Sequence, residues 1–236
     1  YQYLDEMIIQ IYAFTGIDEV HQALAAGVDH IGFIAGKYGI VQAELDFKQA
    51  AALAREVTKP ARSVALTMST EIDEIVRMTE TIQPDIVHIS SETDALCPDS
   101  MATLREKLHP SVKIIKAIGI SDHSSVTAAM EFSRSADILL LDTKIEHLPG
   151  VGATGKTHDW GISSEIVEKC MLPVILAGGL NVKNVAAAIR KVKPWGVDSN
   201  TSTNRLDSLF AKDIQRIREF VKAVRSISDG DPVESR

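Results

Sequence analysis

Several polar side chains fall at spacings that suit proton transfer at the end of a strand. In the run 138–142, period-two alternation puts Ile138, Leu140 and Asp142 on one face. If the two apolar residues turn into a core, the carboxylate is carried to the strand's end, where it is costly to bury and useful as a proton donor. The plainer use of Asp142 is to cap the following turn. Gly196 and Asp198 repeat the device, and a structural hydrogen-bond acceptor is the equally plain alternative there. Ile8, Gln10 and Tyr12 share one face of an earlier run, as do Ile86, His88 and Ser90 of another. An ordinary imidazole pKa of about 6.5 lets His88 exchange protons near neutrality, although a hydrogen-bonded core histidine is the commoner case.

Two glycine-rich segments suit an anion. Residues 150–157 read GVGATGKT, and Gly178-Gly179 closes a short apolar run. Glycine lets backbone N–H groups crowd around phosphate oxygens, and Asn200-Thr201-Ser202 adds amide and hydroxyl donors. The first segment also matches the P-loop pattern G-x-x-x-x-G-K-T, which needs a strand running straight into the glycines and a helix opening at the Lys-Thr. Here several residues, Pro149 among them, follow Asp142 before the glycines. His158-Asp159-Trp160-Gly161 then reads as a poor helix start, so nucleotide hydrolysis is set aside.

These groups need a scaffold that gathers strand ends. Apolar runs at 7–13, 30–35, 61–67, 85–90, 112–118, 137–142, 173–177 and 195–199 alternate with amphipathic stretches, the first at 17–26 and closed by Gly27. Their continuous apolar character suits parallel strands covered on both faces. About eight βα units in 236 residues predict an α/β fold, a (β/α)8 TIM barrel in a single domain over 1–228, with a polar tail at 229–236. An open doubly wound sheet shows the same alternation, but eight units favour closure and no G-x-G-x-x-G follows the first strand. Thr15, Ser69, Asp122 and Asn181 stand where helix N-caps belong. Barrels carry their chemistry at the C-terminal ends of strands, where Tyr12, His88, Asp142, Asp198 and the second glycine pair fall.

A formal net charge of −7 offers nucleic acid and anionic membranes no basic surface. No apolar run approaches the ~20 residues of a spanning helix. The expectation is a cytoplasmic monomer or homodimer whose partner is a phosphorylated small molecule. Cys97 and Cys170 lie far apart outside any C-x-x-C pairing and are expected as free thiols. Nothing in the sequence requires a metal ion or a cofactor.

Leu140-Leu141-Asp142-Thr143 followed by Gly152-Ala153-Thr154-Gly155-Lys156-Thr157-His158-Asp159-Trp160 resembles the L-L-D-T and G-G-T-G-K-T-F-D-W motifs of phosphoribosylanthranilate isomerase, the barrel enzyme of tryptophan biosynthesis. Leu176-Ala177-Gly178-Gly179-Leu180-Asn181 and Gly196-Val197-Asp198 are similar to its next two motifs in order and spacing, and Ala26-Gly27-Val28-Asp29 with Ile31-Gly32-Phe33 to an early one. Ile115-Lys116-Ala117 is similar to its fifth strand.

The resemblance implies an Amadori-type aldose-to-ketose isomerisation in which Asp142 is the general acid. It implies phosphate contacts at Gly152, Thr154, Gly155, Gly178, Gly179, Asn200, Thr201 and Ser202, and substrate contacts at Gln10, Lys37, Ser90 and Lys116. The family's catalytic base is a cysteine on the first strand, and Tyr12 stands in its place. A phenol with a pKa of about 10 is a poor substitute, which leaves His88 or Asp198 as the base. The family's arginine for the aromatic acid has no counterpart in the loop after strand two, where Lys37 is the cation. His88 and Ser90 replace the family's glutamine and histidine. The acid and most of the phosphate motifs match while the base does not, so the reading is an isomerase of a phosphorylated sugar or N-glycosylamine. The alternative is a catalytically silent sugar-phosphate-binding barrel with a regulatory or assembly role.

Overall fold

The computed structural model describes residues 7–41, 43–144 and 157–228. Its strands are β1 (Ile8–Ile11), β2 (His30–Ala35), β3 (Glu44–Leu45), β4 (Arg62–Thr67), β5 (Ile86–Ile89), β6 (Lys113–Ile120), β7 (Ile138–Thr143), β8 (Val174–Leu176) and β9 (Gly196–Ser199). The helices are α1 (Ile17–Ala25), α2 (Phe47–Glu56), α3 (Ile72–Ile82), α4 (Pro98–Lys107), α5 (Ser124–Phe132), α6 (Trp160–Lys169), α7 (Val185–Val192) and α8 (Ile214–Ser228). All strand pairs are parallel, and β1 pairs with both β2 and β9, so eight strands close into a barrel. The two-residue β3 adds only an outer edge to β2, through Ile34↔Glu44 and Ala35↔Leu45. It is too short to leave a periodicity in the sequence.

Alternation along each strand sorts the apolar side chains into two shells. Val64, Ile86, Ile115, Ile138, Leu140 and Ile175 fill the inside of the barrel. Ile9, Ile31, Phe33, Ile114, Leu139 and Leu141 point outward beneath the helices. Each such side chain taken from water contributes roughly 1.5–3 kcal/mol.

The N-terminal rim is held by one device used three times. The aspartate immediately before a strand accepts a backbone N–H of the preceding barrel strand: Asp29 from Ile9 (2.7 Å), Asp85 from Ser63 (2.9 Å) and Asp137 from Ile114 (2.8 Å). Each carboxylate also meets a cation, namely Arg225, Lys59 and Arg105 respectively.

The cap positions differ from those expected. The caps of α1, α3, α5 and α7 are Gly16, Glu71, His123 and Asn184. Glu19 reaches back to accept the Thr15 and Gly16 amides, so an acid inside the first turn replaces the threonine hydroxyl. Ser69, Asp122 and Asn181 instead shape the turns leading into their helices. The expected poor start at 158–161 is also corrected. Asp159 caps α6 by accepting the Gly161 amide at 2.7 Å, and the helix opens at Trp160, not at a Lys-Thr pair. Residues 229–236, expected as a tail, lie outside the described residues. Both cysteines are free, and no helix of the described residues is long and apolar enough to cross a membrane.

Candidate active site

Asp142 leaves the barrel at the C-terminal end of β7, above the inward-facing Ile138 and Leu140. It accepts the Thr143 amide at 2.6 Å. Burial lifts its carboxyl to about 7, against the pull of that N–H. Gly178, at φ +83°, brings the end of β8 against it: a Cβ there would stand 2.6 Å from Thr143 Oγ1, 2.9 Å from His158 Nδ1 and 3.3 Å from Asp142 Oδ1. Only glycine fits that approach. Behind it, Thr143 Oγ1, His158 and Ser163 Oγ form a chain with contacts of 3.3 and 2.7 Å, and burial holds His158 neutral with a pKa lowered to about 4.

Asp198 is carried by β9 into the same mouth and is buried. Gln10 Nε2 donates to it at 3.1 Å, which leaves Gln10 Oε1 to accept from His30 Nδ1 at 3.0 Å. Burial raises Asp198 to about 8, the charge of Asp142 adds to the rise, and Gln10 and Lys212 oppose it. The charge of Asp142 thus bears on Asp198, and burial brings both carboxyls toward neutrality.

Lys212 was not legible as a site residue. It lies between Ala211 and Asp213 just ahead of α8, where a lysine ordinarily faces water. Here it is 7% exposed, and its ammonium lies 2.5–3.3 Å from Asn200 O, Asn200 Oδ1, Thr203 Oγ1 and Asn204 Oδ1. Burial lowers it to about 7, opposed by Asp198 and Glu19. The lysine therefore gathers the 3-10 turn Thr201–Thr203 around a cation.

That turn and the Gly178-Gly179 turn are joined directly. Ser199 and Ser202 hydroxyls lie 2.6 Å apart and both reach Leu180 O, at 3.1 and 2.8 Å. Two hydroxyl protons are thus shared among Ser199, Ser202 and Leu180 O. Gly178, Gly179, Asn200 and Thr201 stand together at this side of the mouth, while Gly152, Thr154 and Gly155 lie outside the described residues.

Tyr12, whose amide donates to Ser199 O at 3.1 Å, lies over Gly32, where a Cβ would meet its ring at 2.4 Å. Its hydroxyl is 2.9 Å from His88 Nδ1. Burial and Asp198 push the phenol well above its ordinary pKa, and burial with Lys116 lowers His88 to about 3, so the pair is uncharged at neutrality. Ser90 is buried beside His88 on β5's inner face and donates its amide to Thr67 O at 3.1 Å.

Two residues expected to contact substrate have other partners here. Lys116 alternates with the inward Ile115 and Ala117, so it faces outward; its ammonium donates to Ser91 O at 2.5 Å and lies 5.2 Å from the centre of the Phe132 ring. Lys37 is largely exposed and turned to Asp46 at 3.6 Å. Among the described residues, no group of three His, Cys, Asp or Glu side chains is arranged to hold a metal ion.

The family model of N-(5'-phosphoribosyl)anthranilate isomerase matches residues 9–223. A relative from Methanosarcina mazei, N-(5'-phosphoribosyl)anthranilate isomerase 2, is 31% identical over 220 residues, covering 93% of this chain and 95% of its own. The barrel is similar to the crystal structure of phosphoribosylanthranilate isomerase from Thermotoga maritima, with a TM-score of 0.77 at 23% identity over 94% of this chain and all of that one. It is also similar, with a TM-score of 0.75 at 21% identity over 93% of this chain and 99% of that one, to an isomerase solved with reduced 1-(o-carboxyphenylamino)-1-deoxyribulose 5-phosphate. Matched from its first strand to its last helix, the chain belongs to the N-(5'-phosphoribosyl)anthranilate isomerase family.

Proposed function

We propose that the protein isomerises a phosphorylated N-glycosylamine from aldose to ketose form, with Asp142 as general acid and Asp198 as the base that replaces a first-strand thiolate. The observation that carries this is the pair of coupled acids beside the turns at Gly178-Gly179 and Thr201–Thr203. Asp142 gives its proton to the furanose ring oxygen as the C1–O bond breaks and the nitrogen lone pair forms C1=N. The Asp198 carboxylate then takes the C2 proton, the C–H electrons form C1=C2, and nitrogen recovers its lone pair. The enolamine relaxes to the ketone.

What supports the charge differs between the two acids. Gln10 and Lys212 stabilise an anion at 198, whereas Thr143 N–H is the donor at 142. His88 is the weaker candidate because a group lowered to about 3 does not retain a proton at neutral pH. The backbone amides of Gly178, Gly179 and Thr201, with Lys212 beneath, are the proposed phosphate seat.

The acid must be protonated and the base ionised, so activity falls as pH rises through one titration and as it drops through the other. The productive form is the one-proton state with the proton on Asp142, the minor of the two one-proton forms because burial raises Asp198 further, and kcat/KM should trace a bell centred between about 7 and about 8. Asp142→Asn should cut turnover by about 10²–10⁴-fold while a phosphate-bearing ligand still binds. Unchanged turnover would remove Asp142 from the mechanism. Rescue of a tryptophan auxotroph lacking this isomerase asks whether phosphoribosylanthranilate itself is a substrate.

The uncharged Tyr12–His88 pair favours a second reading, a silent sugar-phosphate-binding barrel. Ligand binding without turnover across a broad sugar-phosphate panel would select it.

A further inference from the structure

Three polar side chains form one row inside the barrel. Parallel pairing sets Gln10 of β1 opposite His30 of β2 on one side and opposite Asp198 of β9 on the other. All three are buried, in an interior otherwise filled by Val64, Ile86, Ile115 and Ile175. The row is joined end to end: Gln10 Nε2 lies 3.1 Å from Asp198 Oδ1, and Gln10 Oε1 lies 3.0 Å from His30 Nδ1. The Trp195 ring meets the imidazole edge-on, with 6.0 Å between centroids. An ionised carboxylate can only accept, so it takes the amide N–H; Oε1 then needs a donor, and the Nδ1–H tautomer of His30 supplies one. Turned about, the amide would aim its oxygen at Asp198 and its N–H at His30, which fits only a protonated carboxyl and the Nε2–H tautomer.

We infer that His30 is a positioning residue for the base: its Nδ1–H holds the Gln10 amide with Nε2 toward Asp198, and so favours the carboxylate there. The inference rests on the reading of Asp198 as the base. The titratable groups that bear on Asp198 are Asp142 from β7, Tyr12 at the end of β1 and Lys212 ahead of α8; those on His30 are Arg62 of β4 and Asp85 ahead of β5. Burial and Arg62 keep His30 neutral, with a pKa lowered to about 4 against the pull of Asp85. A neutral imidazole adds no charge, so its influence on Asp198 passes through the orientation of the amide, which favours the ionised form by donating to it. An apolar side chain of similar size at 30 would leave Gln10 Oε1 without a donor and the amide free to turn.

Nitrogen NMR of the histidine rings in the unaltered protein reads the tautomer directly. His30 should carry its proton on Nδ1 at every pH above its pKa of about 4, and a proton on Nε2 instead would turn the amide round and overturn the inference. Carbon NMR of Asp142→Asn then follows the Asp198 carboxyl without its neighbour. Adding His30→Leu should raise the Asp198 pKa by about one unit, the scale of one hydrogen bond to a charged group. Adding His30→Asn in its place, which returns an N–H to the row, should recover most of that rise. An Asp198 titration that His30→Leu leaves where it was, or a rise that His30→Asn does not reduce, would make position 30 a matter of packing alone. No substrate enters these titrations, so the proposed reaction fails separately: turnover of phosphoribosylanthranilate retained by Asp198→Asn would remove the base and leave the row in place.

Discussion

At the scale of single residues, the site depends on charges that burial has moved toward neutrality. Lys212 is the clearest case, since an ammonium with this little exposure is held by four oxygens of one turn and by the field of Asp198. Lys212→Met should weaken inorganic phosphate binding by about tenfold or more, because the turn loses both its centre and its cation. Lys212→Arg should recover part of the loss, and an unaltered phosphate affinity in the Met variant would assign the lysine to folding alone. Tyr12 supplies the opposite case, a phenol too well buried to ionise. Tyr12→Phe leaves His88 Nδ1 without its partner and should cost about 1–3 kcal/mol in denaturant unfolding. Turnover should stay within a few-fold if the phenol is no base; a loss comparable to that of Asp142→Asn would make Tyr12 catalytic.

At the scale of elements, what the sequence discloses is set by how local its cause is. All eight barrel strands were legible because burial on both faces leaves a short, continuous apolar run, and Asp142 and Asp198 were legible because period-two alternation along that run ends on an acid. Lys116, expected at the substrate from the resemblance of its strand, is turned behind the barrel wall by its register between the inward Ile115 and Ala117, which a motif match does not disclose. Lys212 was missed because its burial comes from a turn that folds back on it, with Arg205 N–H donating to Ala211 O and Asp213 N–H to Thr203 O. The cap positions moved because Glu19, Ser69 and Asp122 act through side-chain contacts that residue type alone does not fix. The rim aspartates extend this to stability. Asp137 takes the Ile114 amide together with Arg105 and Lys113, and these partners hold its carboxyl below the ordinary range. Asp137→Asn should lower unfolding free energy by about 1–3 kcal/mol, with the loss fading as pH falls and the native carboxylate itself protonates. An equal loss at all pH values would deny the carboxylate that role.

At the scale of the whole molecule, three histidines, His30 and His88 buried and His158 half-buried, link folding to pH. His30, His88 and His158 are lowered to about 4, 3 and 4, chiefly by burial. A depressed histidine contributes stability that is present above its unfolded pKa of about 6.5 and lost as pH falls toward the folded value. Stability should therefore decline from about pH 6.5 to about pH 4, and His158→Phe should make that decline shallower by about 1.4 kcal/mol per pH unit. Urea unfolding at a series of pH values measures the slope directly, and an unchanged slope would mean that His158 protonates in the native state.

The acid pair acts in the other direction. Its folded pKa values are raised, so the stability it contributes is full below the ordinary carboxyl pKa of about 4 and is lost as pH rises from there to about 7 to 8. The shared proton of that pair can be observed without knowing the substrate, by carbon NMR of the aspartate carboxyls in the unaltered protein, Asp142→Asn and Asp198→Asn. Two linked ionisations between about pH 7 and about pH 8 are expected in the first, collapsing to one in either variant. Independent ionisation of both carboxyls at the ordinary pH of about 4 would contradict the account.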